Sequence, residues 1–105
     1  MTEVKVVRND TKFLLDFTIY DLDNNIVDLS DISTISLKFK SYLDGTVTTI
    51  SGSKVGDGSE GEVQFLVLDE FKEITGNFKA EIELIFNDGK ILTAPNIVLK
   101  VIPDL

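Results

Sequence analysis

The sequence has no cysteine, no histidine and no tryptophan, and its 105 residues include two prolines and a single arginine. Without cysteine there is no disulfide framework, no thiolate zinc site and no cysteine nucleophile. Without histidine the usual general base and the commonest transition-metal ligand are gone, and a Ser-His-Asp or Cys-His site cannot be assembled within the chain. Basic residues are also scarce: ten against eighteen acidic ones, for a net charge of −8. Affinity for phosphate backbones and anionic lipid surfaces comes from clustered Lys and Arg, so neither nucleic acid nor membrane is an expected partner. Every apolar run is too short to span a bilayer, and residues 1–12 carry charges throughout, unlike a secretory leader. The chain is therefore expected to be made in a cytoplasm. Small secreted domains usually need covalent staples, so a reducing compartment or assembly with partners fits this composition.

Hydrophobic residues make up 43% of the chain and include seven Phe, enough to build one core and to exclude disorder from lack of apolar surface. At this length one domain, residues 1–105, is expected. The dominant period is two. Phe13, Leu15, Phe17 and Ile19 alternate with Leu14, Asp16, Thr18 and Tyr20, the signature of a half-buried strand. Similar rows are Ile35-Leu37-Phe39, Val63-Phe65-Val67, Phe78-Ala80-Ile82-Leu84-Phe86 and Ile97-Leu99-Val101, with Val4 and Val6 opening the chain. No window shows helical spacing over ten residues; Leu68 to Ile74 reads as a single helical turn between two strands.

Turn signals fall where the rows end. Asp21-Leu22-Asp23-Asn24-Asn25 separates the second row from Ile26-Val27, and Asp44-Gly45 and Asp88-Gly89 have the composition of tight hairpins. Gly52 to Gly61 holds four glycines among Ser and Asp and reads as a mobile loop. Pro95 is placed to interrupt or restart the last strand, and Pro103 to end it. About seven short antiparallel strands spaced by such turns predict an all-β fold, with an immunoglobulin-like β-sandwich as the leading architecture. Phe78 and Ala80, just after the Phe71 to Ile74 turn, occupy the places of the tyrosine and cysteine that begin strand F of immunoglobulin domains.

Two constellations bear on function. Asp21, Asp23 and Asn25 alternate like the first half of a calcium loop, but Ile26 and Ile32 stand where its glycine and glutamate belong, so an Asp/Asn turn is the better reading. If the rows above face the core, then Leu14, Tyr20, Leu66, Leu68, Ile85, Val98 and Ile102 face outward, which makes them the candidate interface. Gly52, Gly56, Gly58 and Gly61 lack the Lys-Ser/Thr ending of a phosphate-binding loop. No catalytic residue, cofactor or metal ligand is assigned, and a non-enzymatic role is expected.

Asn9-Asp10-Thr11, the strand to Tyr20 and the Asp21 to Ser30 stretch resemble the opening of the immunoglobulin-like domain of phage baseplate upper proteins. Gly76-Asn77-Phe78-Lys79-Ala80-Glu81-Ile82-Glu83-Leu84 and Asp88-Gly89-Lys90 are similar to its second half. The resemblance runs from about Val4 to Val101. It implies a phage virion structural protein, acting in a tail baseplate or fibre-attachment assembly, with other virion proteins as partners and a homo-oligomer as a further expectation. Family members carry this domain at the start of a longer chain, so the resemblance also implies either a fragment or a free-standing virion protein. A carbohydrate-binding or adhesion β-sandwich is the alternative, with Tyr20 and Tyr42 as the aromatic residues available for a sugar platform.

Overall fold

The computed structural model describes residues 2–7, 11–42, 45–70 and 76–102, in which seven strands and no helix are found. The strands are β1 (Thr2–Val7), β2 (Phe13–Thr18), β3 (Ile32–Ser41), β4 (Val47–Lys54), β5 (Glu62–Val67), β6 (Gly76–Phe86) and β7 (Ile91–Ile102). Alternation decides which side of each strand is buried. On β6, Phe78, Ala80, Ile82, Leu84 and Phe86 are buried, while Lys79, Glu81, Glu83 and Ile85 keep part of their surface in water. Ile35, Leu37 and Phe39 of β3, Val63, Phe65 and Val67 of β5, and Ile97, Leu99 and Val101 of β7 close the same core. Removing each such side chain from water stabilises the fold by about 1.5–3 kcal/mol before ordering costs. Phe39 meets Phe78 edge to face at 5.7 Å, and Phe17 meets Phe65 in the same way at 5.9 Å.

The strands form a mixed sheet in the order β1-β7-β6-β3-β4-β5-β2, curled into a half-barrel. All-antiparallel pairing, the expectation from the turns, fails at one place: β1 runs parallel to β7, Thr2 opposite Ile97 through Val7 opposite Ile102. No hairpin joins these two strands, because almost the whole chain lies between them.

β4 connects the two parts of the sheet. Val47 to Ser51 pair with β3, and Gly52 to Lys54 pair with β5. The change of partner occurs at Gly52, where a Cβ would stand 2.5 Å from the Phe65 ring and 2.9 Å from the Gln64 carbonyl oxygen. Only a residue without a side chain lets the strand pass that close. The register slips by one residue at Ser33 of β3 and again at Pro95-Asn96 of β7. Proline, which has no N–H to give a ladder, thus sits in a bulge and the strand continues through it.

The Gly52 to Gly61 segment, expected to be mobile, is tied down. Leu29 N–H donates to the Gly58 carbonyl at 2.8 Å and Ile19 N–H to the Gly61 carbonyl at 2.8 Å. The Lys54 ammonium donates to the Ser30 carbonyl at 3.1 Å. Gly58 has a φ of +84°, and a Cβ there would stand 2.8 Å from the Leu29 carbonyl, so the contact requires glycine. Beyond the Asp21 to Asn25 turn, Ile26 forms an isolated bridge to Tyr20 and the Val27 N–H donates to the Ile19 carbonyl at 3.0 Å. Arg8, Asn9, Asp10, Asp44, most of the Leu68 to Ile74 turn and Pro103 lie outside the described residues.

Candidate protein interface

The seven outward apolar residues separate into groups once the strands are paired. Leu14 of β2 stands directly opposite Leu66 of β5, and Lys12 N–H donates to the carbonyl of Leu68 one step further on. Leu14, Leu66 and Leu68 are 52%, 51% and 49% exposed and share the outer face of the outermost strand pair. Ile85 lies elsewhere, half-buried on β6 between Thr34 and Ile91. Val98 is half-buried on β7 opposite Lys79, and Ile102, exposed at the end of β7, is opposite Val7. Tyr20 is exposed beside its bridge partner Ile26. The structure therefore brings together three of the seven, and these three leucines form the candidate interface. Scattered outward aliphatics are ordinary on a soluble domain, and adjacent ones mark contact surfaces.

A second surface escaped the sequence reading, which took the basic residues as scattered. Lys5 stands opposite Lys100 across β1 and β7, and Lys79 opposite Lys40 across β6 and β3. Lys38 joins them on the same outer face, 3.5 Å from the Glu83 carboxylate. The signal was available in parity, since each of these lysines alternates with core residues. Only the strand order shows that the strands carrying them are neighbours.

An open cleft of about 710 Å³ lies between the C-terminal end of β2 and the first half of β7, lined by residues including Phe17, Tyr20, Val27, Leu92 and Ala94. Asp21 and Asp23 stand at its rim, where Asp21 Oδ1 accepts from the N–H groups of Asp23 at 2.8 Å and Asn25 at 2.9 Å. These are the bonds of an Asp turn, which engage the carboxylate with its own backbone. Among the described residues no group of three acidic side chains is placed to hold a metal ion, and no polar or charged side chain is buried.

Two carboxyls are perturbed, both by local turns. Asp28 is held below the usual carboxylate value by the Ser30 N–H, which donates to its Oδ1 at 2.9 Å. Asp57 is lowered by the Ser59 hydroxyl at 2.7 Å and then by the Ser59 N–H at 2.9 Å. Hydrogen bonds given to the charged form stabilise it, and both groups face water. Such carboxylates stay ionised, which suits a turn and does not suit a general acid.

Compared with known proteins, the chain matches no protein-family model and no curated protein.

Proposed function

We propose that the chain is a non-enzymatic structural protein of a phage virion, an immunoglobulin-like module that holds neighbouring subunits together in a tail baseplate or fibre-attachment assembly. The order of strand pairing is the observation that supports this reading. In immunoglobulin-like sandwiches strands B and E share one sheet while C, F and G share the other. Here β2 pairs with β5, and β3, β6 and β7 pair in that order, a pairing of these five strands that supports the immunoglobulin-like reading. Ala80 is buried on β6 opposite Phe39, and Phe39 packs edge to face on Phe78. β4 differs by bridging both sheets along one edge.

A rigid sheet offers a leucine face and a lysine face at fixed positions, and symmetric assembly multiplies weak contacts made through them. Mass spectrometry of purified tail particles from the phage that encodes the chain tests the reading. The protein is expected in the particles at a fixed ratio to baseplate components, with domain-specific antibodies decorating the baseplate end. Particles that lack it would overturn the proposal.

A further inference from the structure

The core-facing side chains of β7 are unequally covered. Ile97, Leu99 and Val101 are 4%, 0% and 3% exposed. Leu92 stands directly opposite the fully buried Leu84 and so faces the same side, yet it is 36% exposed. Ala94 and Phe17 are likewise half-buried, and all three line the 710 Å³ cleft, whose lining also includes Ile82 and Leu84. The core is uncovered at this end. One wall of the cleft is also a bare strand edge. The Phe86 N–H donates to the Lys90 carbonyl at 2.9 Å, and the register that continues from there makes Leu84–Leu92 and Ile82–Ala94 hydrogen-bonded pairs of the ladder. Ile91 and Thr93, in the alternate pairs, turn their N–H and C=O groups away from β6. β1, the neighbour on that side, begins opposite Ile97, so no strand among the described residues receives them. Val7 and Ile102, where these two strands leave the described residues, lie about 36 Å from Ile91 along β7, at about 3.3 Å per residue.

We propose that the cleft takes an extended segment of a partner protein, which adds a short strand to β7 in line with β1. Its apolar side chains rest on Leu84, Leu92 and Ala94, and a lysine or arginine reaches Asp21 and Asp23. Ile91 and Thr93 each offer a main-chain donor and acceptor, and a strand at the usual spacing of about 4.7–4.9 Å satisfies them. Pro95, with no N–H, and the bulge beside it end the run, so the added ladder is short. Every second side chain of an added strand points to the core side, where it covers what Leu92 leaves in water. Asp21 and Asp23 put negative charge on the rim of a chain whose net charge is −8, so a cationic side chain is drawn there and an acidic one is repelled. In this mode of recognition main-chain pairing supplies affinity, and the pocket beside the edge selects the sequence. The docking needs the cleft and the edge alone and is independent of the virion assignment.

Amide hydrogen exchange followed by NMR, with capped synthetic peptides added to the whole chain, tests the docking. The basic probe alternates valine with threonine and carries one arginine. An acidic counterpart has glutamate in place of the arginine, and two further forms of the basic probe are N-methylated at one or the other set of alternate residues. The basic peptide is expected to slow exchange of the Ile91 and Thr93 amides about tenfold and to bind about tenfold more tightly than the acidic one. One N-methylated form should lose binding and the other keep it, since every second N–H of the added strand points at β7. Thr93→Pro removes an outward donor and spares the ladder with β6, so the protein should stay folded while its affinity for the basic peptide falls about tenfold. Asp21→Asn combined with Asp23→Asn keeps the Oδ1 acceptor of the turn and should erase the preference for arginine over glutamate. No protection of either amide by any peptide at millimolar concentration, equal loss from both N-methylated forms, or a folded Thr93→Pro protein that binds as tightly as wild type would each overturn the proposal. Protection that appears without peptide as protein concentration rises would assign the edge to a second copy and overturn the partner segment.

Discussion

The outer face of β2 and β5 and the outer face of β1, β7, β6 and β3 are built on the same two-residue period over the same core, yet the first sets leucines side by side while the second interleaves lysines with Glu81, Glu83 and separate aliphatic side chains. The first presents Leu14, Leu66 and Leu68 side by side. The second sets Lys5 against Lys100 and Lys40 against Lys79, with Lys38 reaching Glu83. Like charges directly opposite cost stability, and exposed leucines directly opposite invite association. The period decides which residues face water. What stands at the outward positions decides whether a face repels or attracts a neighbour.

The strongest way to break the comparison is to separate the two faces from their shared core. Phe65 is fully buried and packs against both Gly52 and Phe17, where the two parts of the sheet meet. Phe65→Ala should lower unfolding free energy by about 3–5 kcal/mol, measured by urea denaturation. Gly52→Ala should cost about 1–3 kcal/mol, because its Cβ must push the Phe65 ring or the strand aside. A Gly52→Ala midpoint equal to wild type would show that β4 does not need its close approach to β5.

Smaller effects separate the faces from each other. Leu66→Lys should leave the folding midpoint within about 0.5 kcal/mol of wild type while weakening any assembly seen by light scattering. Unchanged assembly size would remove the leucine face as an interface. Lys40→Glu should do the reverse and raise stability by about 0.5 kcal/mol, because a repulsive cross-strand pair with Lys79 becomes attractive. A thermal melt that falls would show the lysine face to be structurally required.

Acid should have the smallest effect. Asp28 and Asp57 bind protons more weakly when folded than the ordinary value of 3.8 implies, so they add stability above that value. That contribution is lost as pH falls through their lower folded values. Asp57→Asn should flatten the acid limb of a pH-dependent melting series and leave the neutral region nearly unchanged.

The sequence carries the cores of β2, β3, β5, β6 and β7 plainly, because their buried residues recur at every second position. β4 does not show, since Thr48, Thr49, Ser51, Gly52 and Ser53 surround Ile50, its one buried apolar side chain. The parallel pairing of β1 with β7 leaves no local trace, because neither a turn nor a periodicity links strands at opposite ends of a chain. The candidate interface was half visible. Parity marked Leu14, Leu66 and Leu68 as outward, but their adjacency rests on a ladder between segments far apart in sequence. The same gap hid the lysine face and dispersed Ile85, Val98 and Ile102 to other strands.

Because β4 belongs to both parts of the sheet, the two faces are coupled through covalent backbone as well as through packed side chains. A tensile load entering at β2 and leaving at β1 would cross a continuous series of hydrogen-bonded ladders, with Gly52 as the elbow. Two separate layers would instead transmit the same load through oily contacts that slide. The elbow gives the domain the mechanical character of a folded strap.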